Sequence, residues 1–329
     1  MTLEGRSFPE LSGRTALVTG GAGFIGSHLA HALAARGCRV RVLDDLSGGY
    51  IENLPPGVTF FQASILDDGT LKRAVAGCDW VFHQAAMVSV PESVEKPEEC
   101  IRINVLGTER VLTHARDAGV RRVMFAASAA AYGNSPKLPS TEADLPDSWS
   151  PYAMSKVAGE LLLQTYVRCY GLSTVSLRYF NIFGPRQDPN SPYAAVISTF
   201  ARKLLAGAMP TIMGDGQQTR DFTYIDNVVL ANLLAATCPR PLAGEVLNIG
   251  TGRRSSLLDV LAGMGKALGV EVSPSFGPPR AGDVRHSCAD IARAREVLGY
   301  EPIVGLDEGL GRLLAWAKSA WTPSARAAG

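Results

Sequence analysis

The sequence predicts an α/β protein built on a doubly wound parallel sheet, and three observations carry that reading. A glycine-rich turn, Thr19-Gly-Gly-Ala-Gly-Phe-Ile-Gly-Ser-His28, follows an apolar run at Thr15 to Val18 and opens a helix-patterned stretch. A second apolar run, Val40 to Leu43, ends in two acids, Asp44 and Asp45. Beyond it, short apolar runs keep alternating with helix-period stretches, which is the pattern of a parallel sheet covered on both faces. The expected architecture is a Rossmann-like doubly wound parallel sheet with a smaller C-terminal α/β substrate lobe.

Taken in order, the apolar runs predict strands over 15–19, 39–43, 58–62, 80–84, 122–126 and 173–178. The periodic stretches predict helices over 24–36, 69–76, 99–118, 153–170, 196–206, 225–237, 256–268, 290–298 and 307–318. Gly37 stops the first helix, as glycine past a helix end commonly does. Four proline- and glycine-rich segments, 134–151, 184–193, 207–219 and 274–284, break the rhythm, and loops of that length in a compact domain are usually functional. The expected division is a nucleotide-binding sheet with the catalytic residues over 1–180. A substrate lobe over 181–329 would return some of its chain to the sheet.

Composition narrows the function. With 329 residues, 46% of them hydrophobic, the chain can build a large core. Lys+Arg of 32 against Asp+Glu of 31 leaves a formal charge of +1, which argues against nucleic-acid binding. The six cysteines include no CxxC pair and the histidines no ligand-spaced set, so no metal is expected. Residues 1–12 lack a signal pattern and no apolar run approaches a membrane span, so the reading is a cytoplasmic protein with no membrane partner.

In the glycine turn, Gly20 serves the tight bend, Gly23 lets backbone approach a pyrophosphate, and Gly26 allows helix and sheet to pack closely. The helix N-terminus would hold the anion. An acid closing the second strand, about 20 residues beyond the glycines, accepts hydrogen bonds from adenosine ribose and repels a ribose phosphate. The cofactor expected is NAD rather than NADP, with Asp44 favoured over Asp45 as the ribose ligand.

Tyr152-Ala-Met-Ser-Lys156 places a phenol and an ammonium one helical turn apart on one face. A phenol with a pKa of about 10 is a poor base at neutral pH, but a neighbouring cation favours the phenolate. Ser128 lies just past the Val123 to Ala126 run, at the carboxyl end of a strand where such sheets place their sites. Its hydroxyl could bridge a substrate hydroxyl and Tyr152.

With these residues in hand, the chain resembles an extended short-chain dehydrogenase/reductase, specifically a UDP-sugar 4-epimerase. The resemblance runs through the glycine turn, His83-Gln-Ala-Ala86, Asn104-Val-Leu-Gly-Thr108, Ser128 with Tyr132-Gly133, Tyr152 with Lys156, and Arg178-Tyr-Phe-Asn-Ile-Phe-Gly-Pro185. It continues through Gly214-Asp-Gly216, Arg220-Asp-Phe-Thr-Tyr224, Asn248-Ile-Gly250 and Arg280-Ala-Gly-Asp283, leaving only 1–12 and 321–329 outside. It implies that Ser128, Tyr152 and Lys156 are catalytic, inverting C4 through a 4-keto sugar. It adds Phe24, Ile25, Ser64, Ile65, Gln84, Ala85, Ala86, Asn104, Ala126 and Tyr179 to the cofactor site. For the UDP-sugar it implies Ser89, Asn181, Ala195, Val196, Arg220, Arg280, Asp283 and Ser287. One departure is Ser64, where the family usually carries an Asp that meets the adenine amine; Asp67 is displaced along the chain.

Related 4,6-dehydratases and decarboxylases place an acid shortly after the catalytic Ser/Thr, whereas Ala129-Ala130-Ala131 follow Ser128 here. Elimination then lacks a general acid, which favours epimerisation. The resemblance puts Ser287, four places after Asp283, on the wall of the sugar pocket. A small residue there leaves room for an N-acetyl group, and Arg186 to Asn190 with Tyr193 to Ala195 resembles the branch that prefers acetylated sugars. UDP-N-acetylglucosamine and UDP-N-acetylgalactosamine are therefore expected. The alternatives are a UDP-glucose/UDP-galactose 4-epimerase, a UDP-uronic acid 4-epimerase, and, from another class, a non-catalytic NAD-binding protein. Helices 99–118 and 153–170 are expected to pair in a homodimer. Asp221, Tyr224 and Asp226 read equally as caps of the helix at Ile225 and as substrate residues, and His28, His31 and His114 read as packing residues.

Overall fold

The computed structural model describes residues 2–188, 196–279 and 284–321. Its centre is a seven-stranded sheet, β1 (Thr15–Thr19), β2 (Arg39–Asp44), β3 (Thr59–Gln62), β4 (Trp80–His83), β5 (Arg122–Ser128), β6 (Thr174–Tyr179) and a strand from the second half, Ala243–Ile249. Every pairing is parallel, and the last strand lies on β6 at the edge opposite β3. Strand order runs outward in both directions from neighbours β1 and β4, so their carboxyl ends flank the switch point where such sheets open a crevice.

Helices cover both faces: α1 (Phe24–Ala34), α2 (Asp68–Val75), α3 (Val90–Glu95), α4 (Pro97–Ile101), α5 (Gly107–Asp117), α6 (Pro151–Tyr170), α7 (Val196–Leu205), α8 (Ile225–Thr237), α9 (Leu257–Leu268), α10 (Ala292–Leu298) and α11 (Leu306–Ala320). The central strands β1, β4 and β5 are apolar at successive positions because both their faces are buried. Val18, Val42, Phe82, Met124 and Leu177 point to a layer with Leu29 of α1 and Val229 of α8. Leu17, Leu43, Val81, Val123 and Phe125 point the other way, onto Leu71, Leu112 and Leu163 of α2, α5 and α6.

The remaining strands are short: β7 (Ile182–Phe183) with β10 (Thr223–Tyr224), β8 (Thr211–Met213) with β13 (Ser275–Gly277), and β9 (Thr219–Arg220) with β12 (Ser255–Ser256). In this numbering the seventh sheet strand, Ala243–Ile249, is β11. The six expected strands are present, and the return of late chain to the sheet is β11. Two expectations need correction. Helix 99–118 is not one regular helix, because a wide π-type turn at Arg102–Leu106 separates α4 from α5. That turn places Asn104 in the interior, where its side chain is held by hydrogen bonds with Met87 and Ser155. The loops 207–219 and 274–284 are also less irregular than expected, since β8 and β13 lie within them.

Candidate active site

The three glycines of the first turn are required for different reasons. Gly20 has φ +66°, and a Cβ on it would lie 2.7 Å from Ala85 N. A Cβ on Gly26 would collide with the Gly20 carbonyl, its carbon 2.8 Å away. Gly23, the N-cap of α1, is different: a Cβ there would meet only Gly20 O, at 3.3 Å. Packing is therefore less strict at 23 than at 20 or 26, though the Gly20 carbonyl would have to give a little, and the bare backbone over the helix N-terminus is what a pyrophosphate needs. Phe24 and Ile25 form the first turn of α1 behind it.

Asp44 closes β2 almost fully buried, its Oδ2 accepting from Ala22 N at 2.9 Å and its Oδ1 from Leu46 N at 2.8 Å. Burial raises its pKa above the ordinary carboxylate value, and the amides oppose this. Asp45 is exposed and occupied locally by Ser47, whose N donates at 3.0 Å and whose hydroxyl donates at 2.6 Å. The acid facing the glycine turn is thus Asp44. Ser64 accepts from Leu66 N at 3.2 Å, Ile65 is buried against Gly107, and Asp67 caps α2 by accepting from Thr70 N at 3.0 Å. A bare turn at a helix N-terminus with a buried acid beside it fits NAD.

Gln84, Ala85 and Ala86 leave β4 next to Gly20, and Gln84 Nε2 lies 3.4 Å from the Tyr179 hydroxyl. That hydroxyl also accepts from Asn232 Nδ2 at 2.8 Å, while Ala126 lies buried on β5. Asn104 accepts from Met87 N at 2.8 Å and donates to Met87 O at 3.0 Å and Ser155 Oγ at 2.9 Å. It ties the chain after β4 to α6.

Ser150 caps α6 by accepting from Ala153 N at 3.1 Å, and Pro151 fills the first turn, where its missing N–H costs nothing. Tyr152 N donates to Ser93 Oγ of α3 at 3.1 Å, so α3 buttresses the start of α6. The Tyr152 phenol has its pKa raised by burial, opposed by a hydrogen bond with Ser128. Lys156 is 3% exposed, and burial pushes its ammonium down to about 8. The structure thus brings Ser128, Tyr152 and Lys156 together from β5 and α6.

Behind Ser128 the short helical turn Ala129–Tyr132 is pinned by residues to which the sequence alone assigns no role. Tyr132 donates to Asn248 Oδ1 at 2.6 Å, and the Arg178 guanidinium lies 4.7 Å over its ring. Arg178 is in turn held by Glu160 of α6 through two 2.7 Å hydrogen bonds, both side chains buried. A charged pair at one strand end and one helix face carries no short-range sequence signal.

Asn181, between β6 and β7, has φ +25°, an uncommon conformation for a non-glycine residue, and its Nδ2 lies 3.3 Å from Ser287 Oγ. Ser287 N donates to Thr219 O at 3.0 Å, and Arg220 donates to the Thr219 and Arg285 carbonyls at 2.9 and 3.2 Å. Val196 opens α7, and Ser89 caps α3 by accepting from Glu92 N at 3.1 Å. Ala195, Arg280 and Asp283 lie outside the described residues.

Asp221, Tyr224 and Asp226 do not cap α8 with their side chains. Asp221 is fully buried and accepts from Thr251 N, Gly252 N and Ala289 N at 2.8, 2.9 and 3.2 Å, tying three segments together, and Asp226 pairs with Arg312 at 2.8 Å. His28, His31 and His114 bond Pro185 O, Asn53 O and Asp68 at 2.9, 3.0 and 2.8 Å, as packing residues do. Among the described residues no cluster suits a metal ion and no helix is long and apolar enough to cross a membrane.

Fold and site together define a nucleotide-dependent enzyme of the short-chain dehydrogenase/reductase type. Residues 16–250 match the NAD dependent epimerase/dehydratase family, and the chain belongs to it, with NAD as its cofactor. A UDP-glucose 4-epimerase of Mycolicibacterium smegmatis is 42% identical over 311 residues, covering 92% of this chain and 98% of that one. Among solved structures, a UDP-N-acetylglucosamine 4-epimerase from Methanobrevibacter ruminantium, in complex with UDP-N-acetylmuramic acid, superposes with a TM-score of 0.89 at 35% identity, covering 94% and 99% of the two chains. The Thermus thermophilus UDP-glucose 4-epimerase complex with NAD has a TM-score of 0.84 at 37% identity, covering 93% and 99%.

Proposed function

We propose that this chain is a UDP-sugar 4-epimerase, with the UDP-N-acetylglucosamine/UDP-N-acetylgalactosamine pair as its substrates. The epimerase reading rests on the family and on the relatives just described. NAD supplies, when bound, a reversible hydride acceptor. Tyr152 receives the proton of the sugar 4-hydroxyl and returns it after the ring has turned over, while the Lys156 charge favours the phenolate. Ser128 bridges the phenol and the sugar oxygen. Arg220, with Arg280 and Asp283, would hold the UDP firmly while small residues leave the hexose free to turn.

The observation that carries the acetylated pair is the meeting of Ser287 with Asn181, a small hydroxyl where a bulky aromatic would close the space. A second reading, the UDP-glucose/UDP-galactose pair, is favoured by the name of the M. smegmatis relative. Purified enzyme incubated separately with UDP-N-acetylglucosamine and UDP-glucose, with products resolved by chromatography, tests both. Conversion of the acetylated sugar at a rate at least comparable to glucose supports the proposal; conversion of glucose alone overturns it.

A further inference from the structure

Among the described residues, Lys156 is a buried cation with no carboxylate to balance it. Its Nζ lies 5.0 Å from the centroid of the Phe125 ring and 5.8 Å from that of Tyr152. The titratable groups facing it are Cys100 from α4, His83 from β4 and Tyr152 from its own helix. Burial keeps the His83 imidazole neutral, pushed down to about 3, and raises the Cys100 thiol, so neither supplies a balancing anion near neutral pH. A charge taken out of water without a partner is costly. Something at this site must offset that cost.

Phe125 is placed for it. The ring is buried on β5 and lies against α6 at Gly159, three residues beyond Lys156, where a Cβ would come within 2.7 Å of its Cε1. An alanine at 159 would push the ring away from the position it holds beneath the ammonium. The glycine is in a helix interior, where it is unfavourable relative to alanine, and the close approach of Phe125 accounts for it.

We propose that Phe125 is a positioning residue for the reaction, its ring face holding the Lys156 ammonium in place of a carboxylate, with Gly159 providing the room. The choice of an aromatic partner has a chemical reason. An aspartate or glutamate would hold the lysine more strongly, but its negative charge would cancel the field that favours the Tyr152 phenolate. A ring attracts a cation through its quadrupole and carries no net charge, so it steadies Lys156 while leaving its field intact. The inference rests on the roles proposed above for Tyr152 and Lys156.

Fluorinated phenylalanines at position 125 test it, because ring fluorines drain the quadrupole with little change of shape. In NAD-bound enzyme carrying 15N-lysine, the Lys156 resonance is identified by its loss in Lys156→Met and titrated in the mono-, di- and trifluoro proteins. The midpoint should fall stepwise, by about one pH unit in all, with Phe125→Leu at or below the trifluoro value and the alkaline limb of kcat/KM following. Identical midpoints across the series overturn the proposal, showing that Phe125 only fills space. Should Phe125→Leu fail to fold, the fluorinated series still decides. A falling midpoint in an enzyme that epimerises no UDP-sugar would leave the Phe125 contact standing and sink the proposed reaction instead.

Discussion

Tyr152 and Lys156 stand one turn apart at the start of α6, the ammonium nitrogen 5.8 Å from the centre of the phenol ring, and only the tyrosine is open enough to meet a substrate. That arrangement gives the two residues separable roles. Tyr152→Phe keeps the ring that packs beneath the site and removes only the hydroxyl. Turnover should drop by about a hundredfold or more, with the circular dichroism spectrum and UDP affinity unchanged. A Phe variant within a few fold of the parent would remove Tyr152 from the mechanism.

The lysine sets the alkaline limit. Burial pushes Lys156 down to about 8. The cation that supports the phenolate is present below that pH and lost above it. The kcat/KM profile should therefore fall on an alkaline limb with its midpoint at or below about pH 8. A plateau extending well beyond that pH would show that the charge of Lys156 is not needed. The same depressed pKa gives stability a definite sign. Between about 8 and the ordinary value of 10.5 the unfolded chain binds the proton that the folded one has released, so the Lys156 contribution to stability rises with pH across that window.

Much of this site is legible in the residues, and the exceptions have physical reasons. The strands β1, β4 and β5 are nearly continuous apolar runs and β2 keeps Val40, Val42 and Leu43 around Arg41, while Ser128 falls at the end of β5 and Tyr152 and Lys156 on the first turns of α6. The edge strand β11 is hidden because Glu245 and Asn248 interrupt its apolar side chains, leaving Val246, Leu247 and Ile249 as a run too short to stand out. The π-type turn at 102–106 keeps helical periodicity nearly intact, so only the tertiary pull on Asn104 reveals it. Asp221 and Arg178 lie in motifs the sequence does mark, but their partners, Thr251, Gly252 and Ala289 for one and Glu160 for the other, are remote in the chain and nothing local reveals them.

Cofactor choice follows from Asp44. Its carboxylate faces the glycine turn where the adenosine ribose would lie, and bringing like charges together costs several kcal/mol. On stripped enzyme, calorimetry should show NAD binding tighter than NADP by about a hundredfold or more. Because burial raises the Asp44 pKa, the preference should weaken as pH falls and the carboxylate is neutralised. Equal affinities near neutral pH would count against Asp44 as the ribose ligand.

For assembly, α4 to α5 and α6 pack side by side and leave Ile101, Leu106, Met154 and Leu161 exposed. Large apolar side chains gathered on adjacent helices are the kind of surface that a two-fold pairing covers. Light scattering at micromolar concentration should report twice the chain mass of 34.9 kDa, and Leu161→Arg should shift it towards the monomer. A parent protein that is monomeric throughout would remove the proposed dimer.

In the proposed reading, substrate size turns on Ser287. Its hydroxyl lies 3.3 Å from Asn181 Nδ2, and Asn181 is set just past β6 by an unusual φ of +25°, so the two residues hold one another in place. A tyrosine at 287 would add a ring at that point. It should exclude a sugar carrying an N-acetyl group while a bare hydroxyl at the same carbon still fits. One steric change in a pocket is worth about 1–3 kcal/mol, so Ser287→Tyr should cut kcat/KM for UDP-N-acetylglucosamine by roughly 10–200-fold and leave UDP-glucose within a few fold. The ratio of the two substrates is the quantity to measure, because misfolding or a lost hydrogen bond to Asn181 would lower both together. If the tyrosine variant converts the acetylated sugar at the parental rate, Ser287 does not line the pocket and the choice of substrate pair loses its support.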